Sequence, residues 1–209
     1  MVISIFFSIF AFVNQKIVMA IDLCNKLIDN DLTRNELLER VEIKKTSIED
    51  LVEICKILAK AFNLSSDAEA YYQLCNSKVL IDESVKLIDK ESGEIYGLLM
   101  FCEYPIKVGS PICFLEKELS EYLDKYTQVN GHSFVIDKRL RGTNLDKKML
   151  FYNIEFLRDN FDFIWMGVEK SLRTLPYWHR LGFVDVFEIP EATFCLIPLS
   201  EKMIKEYLL

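Results

Sequence analysis

A short basic turn in the last third of the chain carries residue types that bind anions. Residues 139–144 read Arg-Leu-Arg-Gly-Thr-Asn and join a strand pattern to a helix pattern. The N–H groups at the start of a helix, together with its dipole, attract negative charge. The densest basic cluster of the sequence lies here: Lys138, Arg139, Arg141, Lys147 and Lys148. The turn is therefore the candidate site for a phosphate-bearing ligand; the alternative is an ordinary solvated turn.

The segments on either side of this turn predict a βαβ unit. Residues 132–138 (HSFVIDK) are typical of a strand, residues 144–160 predict a helix, and residues 163–168 (FIWMGV) predict a buried strand. In a parallel unit of this kind the turn lies at the carboxyl edge of the sheet. Free amide groups there would face a ligand.

The rest of the chain predicts an α/β domain over residues 41–209, preceded by an apolar and helical extension over residues 1–40. Capping boxes are predicted at Thr33 with Glu36 and at Thr46 with Glu49, and Gly182 is expected to end the last helix. The turn at residues 90–93 predicts an antiparallel hairpin. Further helices are predicted at residues 20–30, 34–40, 51–62, 67–75, 111–126 and 172–181, and strands at 41–45, 79–89, 94–102, 183–189 and 192–198.

Composition excludes several classes of protein. The 209 residues carry 25 Lys plus Arg against 32 Asp plus Glu, and 51% are apolar, so disorder is excluded. A net charge of −7 opposes the phosphate backbone, so we expect no nucleic-acid partner. Six scattered cysteines form no C-x-x-C pair and there are only two histidines, so we predict no metal and buried free thiols in a reducing cytoplasm.

Residues 2–13 (VISIFFSIFAFV) form an apolar segment. As a helix it would span about 18 Å, which is too short to cross a bilayer, and it lacks the basic flank and cleavage site of a signal peptide. We expect no integral membrane insertion. The alternatives are an apolar element docked on the domain, a peripheral membrane anchor, or translated sequence upstream of a start at Met19.

Three stretches resemble the GNAT superfamily of acyl-CoA N-acyltransferases. They are residues 136–142 (IDKRLRG), residues 177–183 (YWHRLGF) and the hairpin end at residues 93–97 (GEIYG). The resemblance covers residues 41–198. It implies a three-layer fold in which helices flank a twisted mixed sheet, and two central parallel strands splay apart to admit acetyl-CoA as co-substrate.

The resemblance also implies which residues hold that co-substrate. The backbone of Ile136 and Lys138 would pair with pantetheine, and Ser171 stands where relatives often have an asparagine near the thiol. The amides that would cradle the pyrophosphate belong to Arg141, Gly142, Thr143, Asn144, Leu145 and Asp146.

Two residues depart from the family's Arg/Gln-x-x-Gly-x-Gly/Ala pattern. Asn144 replaces the first glycine, and asparagine adopts positive φ more readily than most residues. Asp146 replaces the second small residue. Its carboxylate should repel a pyrophosphate by about 1 kcal/mol in a water-exposed setting, although a first-turn acid also stabilises its own helix dipole.

Catalytic groups are less clearly marked. In many relatives a tyrosine at the position of Trp178 acts as the general acid. Tyr177 is therefore the candidate general acid here; the alternative is that it lines the wall of the pocket. Asn130 stands where some relatives carry a basic carboxylate, and His132, on the same strand face, is either the base or a structural histidine. Glu103 could steer a cationic amine or be a rim charge.

The sequence therefore predicts an N-acetyltransferase that moves acetyl from acetyl-CoA to a primary amine of a small molecule or peptide by direct attack. The acidic surface favours a cationic acceptor, and a homodimer is left open. The alternative is a GNAT-fold protein that has lost part of its catalytic machinery and serves as a binding or regulatory protein.

Overall fold

The computed structural model describes residues 33–103 and 125–200. The apolar segment 2–13, the predicted helix 20–30 and nearly all of the predicted helix 111–126 lie outside these residues. Among the described residues, no helix is long and apolar enough to span a membrane.

The described chain contains five α-helices and seven strands. The helices are α1 (Arg34–Arg40), α2 (Leu51–Ala61), α3 (Asp67–Asn76), α4 (Leu145–Leu157) and α5 (Leu175–Arg180). The strands are β1 (Val41–Lys45), β2 (Val85–Asp89), β3 (Ile95–Cys102), β4 (Gln128–Ile136), β5 (Phe163–Glu169), β6 (Val184–Glu188) and β7 (Ala192–Pro198).

The described strands form one mixed sheet in the order β1-β2-β3-β4-β5-β7-β6. Neighbouring strands are antiparallel except for the central pair, β4 and β5, which is parallel. Helix α4 connects these two strands, so the predicted βαβ unit is present. It lies at the middle of the sheet.

Strand β3 is buried on both faces of the sheet. Leu99 and Phe101 belong to the core beneath α1, α4 and α5, whereas Leu98 and Met100 belong to the core beneath α2 and α3. Side chains alternate between the two faces of a strand. Helices therefore cover both faces, and the predicted three-layer fold is confirmed.

The predicted capping box at Thr46 and Glu49 is wrong by one residue. Ser47 forms the box, because its amide donates to Oδ2 of Asp50 at 2.8 Å. Thr46 is buried, and its hydroxyl donates to the carbonyl of Ile81. The box at Thr33 and Glu36 is confirmed.

Several element boundaries also differ from the prediction. The strand predicted over 79–89 begins at Val85, after a 3₁₀ turn at Ile81–Glu83. Strand β4 begins at Gln128, where it pairs with β5, and ends at Ile136, since Asp137 accepts a hydrogen bond from the Arg139 amide and starts a 3₁₀ turn. The last helix begins three residues later than predicted, at Leu175.

Helix α1 packs directly on the sheet. Leu37 is 0% exposed and lies in the same core as Leu87 of β2. At the start of the helix, Nη2 of Arg34 donates to the carbonyl of Arg141 at 3.2 Å. The end of the extension predicted over residues 1–40 is thus in contact with the basic turn.

Asp89 fastens the other end of α1 to the hairpin between β2 and β3. Its side chain is 0% exposed, and Nη2 of Arg40 lies 2.7 Å from its Oδ2. The amides of Glu91 and Ser92 donate to its Oδ1 at 2.7 and 3.0 Å. Burial alone would raise the pKa of Asp89, but the hydrogen bonds from Arg40 and from these amides lower it to about 2.

Replacing Asp89 with Asn should lower the free energy of unfolding at pH 7 by about 2 to 3 kcal/mol, because Arg40 loses its charged partner. The folded-state pKa, about 2, lies below the ordinary 3.8, so between these pH values the unfolded chain binds more protons. Wild-type stability should therefore fall as the pH drops through this window, and the difference from the variant should shrink. Urea denaturation at pH 7, 4 and 2 measures both effects.

The control is Glu91→Gln. Glu91 lies 3.2 Å from Arg40, but its side chain is 71% exposed, so its loss should change stability by less than about 1 kcal/mol. A difference between the wild type and Asp89→Asn that is the same at pH 7 and pH 2 would contradict this account.

Candidate functional site

The two central parallel strands separate soon after they meet. Strands β4 and β5 pair at Gln128 with Phe163, Val129 with Ile164 and Asn130 with Trp165, and at no later position of the described strands. Each strand stays paired on its other side, β4 with β3 as far as Ile136 and β5 with β7 along its whole length. A gap therefore opens between β4 and β5 towards their carboxyl ends.

A bulge in β4 marks the point where the gap opens. Phe101 pairs with Gly131 and Met100 pairs with Ser133, so His132 is an extra residue in β4. A bulge bends its strand and increases the local twist. It also interrupts the alternation by which the sequence placed Asn130 and His132 on one face.

Beyond the bulge, β4 presents backbone groups to the gap. The amide of Asp137 bonds to the carbonyl of Tyr96 on β3. Because hydrogen-bonding direction alternates along a strand, the N–H and C=O groups of Phe134 and Ile136 are directed away from β3. The Phe134 ring packs at 6.1 Å from that of Trp178 on α5, which is 4% exposed. Trp178 is thus a packing residue beside the gap.

The gap leads to the basic turn before α4. Gly142 has φ +69°, and a Cβ at this position would meet no atom within 4 Å. Asn144 has φ +64° and is the residue before the helix, so asparagine does supply the left-handed conformation expected of the missing glycine. The amides of residues 142–146 donate to no acceptor among the described residues. These five amides are therefore donors that a ligand could use.

The basic residues at the turn do not all face solvent. Nη2 of Arg139 lies 3.0 Å from Oδ2 of Asp137, whose side chain is only 6% exposed. The expectation that Arg139 adds to a free basic cluster is therefore corrected, because the buried carboxylate requires its charge. Nε of Arg141 donates to the carbonyl of Ile136 at 3.4 Å. The exposed cations at the turn are Arg34, Lys138, Lys147 and Lys148.

Arg34 is the cation that the sequence did not indicate. The sequence predicts that α1 belongs to an extension outside the domain, and its pattern does not indicate that a side chain of this helix reaches the turn. The capping box before α1 and the apolar Leu37 were the available signals that this helix is ordered and packed.

Asp146 and Tyr177 meet beside the turn. The Tyr177 hydroxyl donates to Oδ2 of Asp146 at 2.8 Å, and the Lys147 amide donates to Oδ1 at 2.8 Å. Burial, followed by the hydrogen bond and charge of Asp146, raises the pKa of Tyr177 well above its usual range. The hydroxyl thus keeps its proton.

His132 is buried at the bulge. It is 7% exposed, and its Nδ1 lies 2.8 Å from the hydroxyl oxygen of Ser133. The side chain of Asn130 bridges two strands, since Nδ2 donates to the Trp165 carbonyl at 3.1 Å and Oδ1 accepts from the Cys102 thiol at 3.4 Å. Asn130 therefore joins the strands where the gap begins.

Glu103 and Ser171 are both exposed. Glu103 follows Cys102, which pairs with Asn130, so it lies at the closed end of the gap. The Ser171 hydroxyl donates to Oε1 of Glu169 at 2.6 Å. Ser171 does not cap the following helix, because Thr174 occupies the position before α5. Lys138 lies in the 3₁₀ turn, where its carbonyl accepts from the Arg141 amide at 3.3 Å.

The described cysteines are thiols without disulfide bonds. Burial, with the charges of Glu103 and Asp185 respectively, raises the pKa of Cys102 and Cys195 to about 12. Cys75 is exposed, contrary to the expectation that the thiols are buried, because α3 faces the core through Ala70 and Leu74. Among residues 33–103 and 125–200, no group of three or more His, Cys, Asp or Glu could hold a metal.

No family model matches the sequence, and no curated protein matches it. Solved structures do share its fold. Ard1 from Thermoplasma volcanium has 13% identity and a TM-score of 0.55, over 78% of this chain and 99% of that one. The GNAT family N-acetyltransferase YhbS from Escherichia coli, in complex with CoA, has 19% identity and a TM-score of 0.54, over 78% and 83%.

An aminoglycoside 6'-N-acetyltransferase complexed with coenzyme A has 12% identity and a TM-score of 0.54, over 76% of this chain and 97% of that one. These similarities, together with the central strands that splay apart, show that the chain has the GNAT fold. The fold implied by the sequence motifs is thereby confirmed.

Replacing Asn144 with Ala should lower the free energy of unfolding by about 1 kcal/mol, because alanine is strained at positive φ. Asn144→Gly should be at least as stable as the wild type, since glycine adopts this conformation without strain. Urea denaturation of the two variants tests the role of this residue. An equal loss in both would show that the Asn144 side chain, and not its backbone conformation, is what the turn requires.

Proposed function

We propose that this protein is an N-acetyltransferase that uses acetyl-CoA and acetylates a primary amine of a small molecule or peptide. The observation that carries the proposal is the gap between β4 and β5, which ends at a turn with five amides that have no acceptor among the described residues. Two of the similar structures are complexes with CoA. The coincidence of an open strand edge with an anion-binding turn favours a ligand that is both extended and phosphorylated.

The residues of the gap fit such a ligand. The backbone of Phe134 and Ile136 would pair with the pantetheine arm, and Lys138 would flank it. The exposed cations Arg34, Lys147 and Lys148 offset the acid at residue 146. Ser171, beyond the end of β5, would border the thiol end. The diphosphate would be cradled by the amides of Gly142, Thr143, Asn144, Leu145 and Asp146; the Arg141 amide, which the sequence also assigned to the cradle, already donates to the Lys138 carbonyl at 3.3 Å.

When bound, acetyl-CoA supplies a thioester whose carbonyl an amine can attack directly. The acceptor nitrogen must first lose its proton, and we assign this step to His132, the titratable side chain at the bulge where the gap opens. Glu103, exposed at the closed end of the gap, would attract a cationic acceptor. The high pKa of the buried Cys102 and Cys195 thiols disfavours a covalent intermediate on either of them and supports direct transfer. Unpaired thiols suit the reducing cytoplasm, where we expect the protein to act.

The second candidate is a GNAT-fold protein that binds an acyl-CoA without transferring the acyl group. Trp178 at the usual position of the acid is buried, and the Tyr177 hydroxyl is engaged by Asp146. Neither group is thus ready to protonate a leaving thiolate. Such a protein would bind CoA yet release no thiol with any amine.

Arg141→Glu should weaken CoA binding at least about tenfold, because it removes a cation and adds an anion at the cradle. It should change the free energy of unfolding by no more than about 1 kcal/mol, since the hydrogen bond from Nε to the Ile136 carbonyl is long, at 3.4 Å. Isothermal titration calorimetry with CoA and urea denaturation measure the two quantities.

The matched control is Lys56→Glu, the same change of charge sign on α2, which belongs to the opposite face of the sheet. CoA affinity should be unaltered in this variant. If the wild type does not bind CoA at millimolar concentration, the proposal fails. If Arg141→Glu binds as the wild type does, the diphosphate lies elsewhere.

His132→Asn should lower kcat about a hundredfold or more, the usual contribution of a general base, without weakening CoA binding. A panel of polyamine, aminoglycoside and lysine-like acceptors, assayed by the release of free CoA thiol, identifies the substrate. His179→Asn is the control, because His179 is exposed and paired with Asp185 at 2.7 Å, outside the gap. CoA binding without thiol release from any acceptor would favour the second candidate.

A further inference from the structure

The contact between Tyr177 and Asp146 joins two helices that border the basic turn. Asp146 is the second residue of α4, and Tyr177 is the third residue of α5. Their side chains meet at 2.8 Å although they are 31 residues apart in the chain, and the contact is partly buried. The Tyr177 ring is itself held, because it packs edge to face on Trp178 at 5.2 Å.

Both oxygens of the Asp146 carboxylate have a donor. Oδ2 accepts from the Tyr177 hydroxyl, and Oδ1 accepts from the Lys147 amide at 2.8 Å. Two donors on opposite oxygens fix the orientation of a carboxylate and spread its charge. The side chain is therefore held by α5 and by its own helix, while the amides of residues 142–146 donate to no acceptor among the described residues.

An acid in this turn is a disadvantage for any protein that binds a diphosphate there. A carboxylate that rotated into the cradle would both repel the phosphates and compete for the same amides. Burial, followed by the hydrogen bond and charge of Asp146, raises the pKa of Tyr177. The hydroxyl therefore stays protonated near neutral pH and can donate to the carboxylate. The contact can thus persist whether or not a ligand is present.

We propose that Tyr177 is a positioning residue that holds the Asp146 carboxylate against α5 and so keeps the diphosphate cradle open. This inference rests on the proposed function, since it concerns how the same turn accepts CoA. It gives Tyr177 a role different from that of a general acid. The hydroxyl that would have to protonate a leaving thiolate already donates its hydrogen bond to Asp146.

A double-mutant cycle tests the inference by the affinity for CoA, measured by isothermal titration calorimetry. Tyr177→Phe should raise the Kd about fivefold, because the released carboxylate faces the diphosphate. Asp146→Asn should bind CoA at least as tightly as the wild type. In the Asp146→Asn background, Tyr177→Phe should have no further effect, because no charge remains to be held.

Salt and a second tyrosine supply the controls. The loss in Tyr177→Phe should shrink as ionic strength rises, because salt screens the repulsion between carboxylate and diphosphate. Tyr152→Phe, on the same helix as Asp146 and packed on Phe156 at 5.0 Å, should bind CoA as the wild type does. Thermal unfolding of each variant identifies any loss of affinity that comes from loss of structure.

The outcomes separate this inference from the proposed function. If the wild type fails to bind CoA, both fail. If the wild type binds CoA and Tyr177→Phe binds it equally well, only the positioning role is overturned. The same holds if Tyr177→Phe lowers the affinity for CoA by the same factor in the wild-type and Asp146→Asn backgrounds. A fall in kcat with an unaltered Kd for CoA would instead assign Tyr177 to proton transfer.

Discussion

The separation of β4 and β5 is the constraint on which the rest of the site depends. A buried backbone group without a hydrogen-bond partner is costly, yet these neighbouring strands share only three residue pairs. The sheet tolerates this opening because β3 and β7 hold the two strands independently. The extra residue His132 bends β4 at the point where pairing stops. We propose that an extended ligand pairs with this open strand edge.

The turn at the wide end of the gap is built so that its acids are satisfied internally. Asp137 is paired with Arg139, and Asp146 is held by Tyr177. Two carboxylates within ten residues of the proposed anion site would otherwise oppose its positive potential. Because each has a donor, the backbone amides and the exposed cations determine the field that a ligand meets.

Helix α1 belongs to this arrangement at both ends. Arg34 reaches the turn at the carbonyl of Arg141, and Arg40 is anchored to Asp89 at the hairpin. Between them, Leu37 is fully buried in the core beneath α4. A segment that the sequence placed outside the domain therefore supports the loop that we propose to bind the diphosphate.

The sequence by itself determined the order of the elements, the βαβ unit, the position of the basic turn and the GNAT fold, because these depend on local periodicity and on short motifs. It also indicated that Asn144 could take the place of a glycine, since backbone conformation is a local property. It could not show that Arg139 forms an ion pair with Asp137, that β4 bulges at His132, or that Asp146 accepts a hydrogen bond from Tyr177. Those facts were decided by the tertiary structure alone, because they depend on which side chains are brought together across the sheet and between helices.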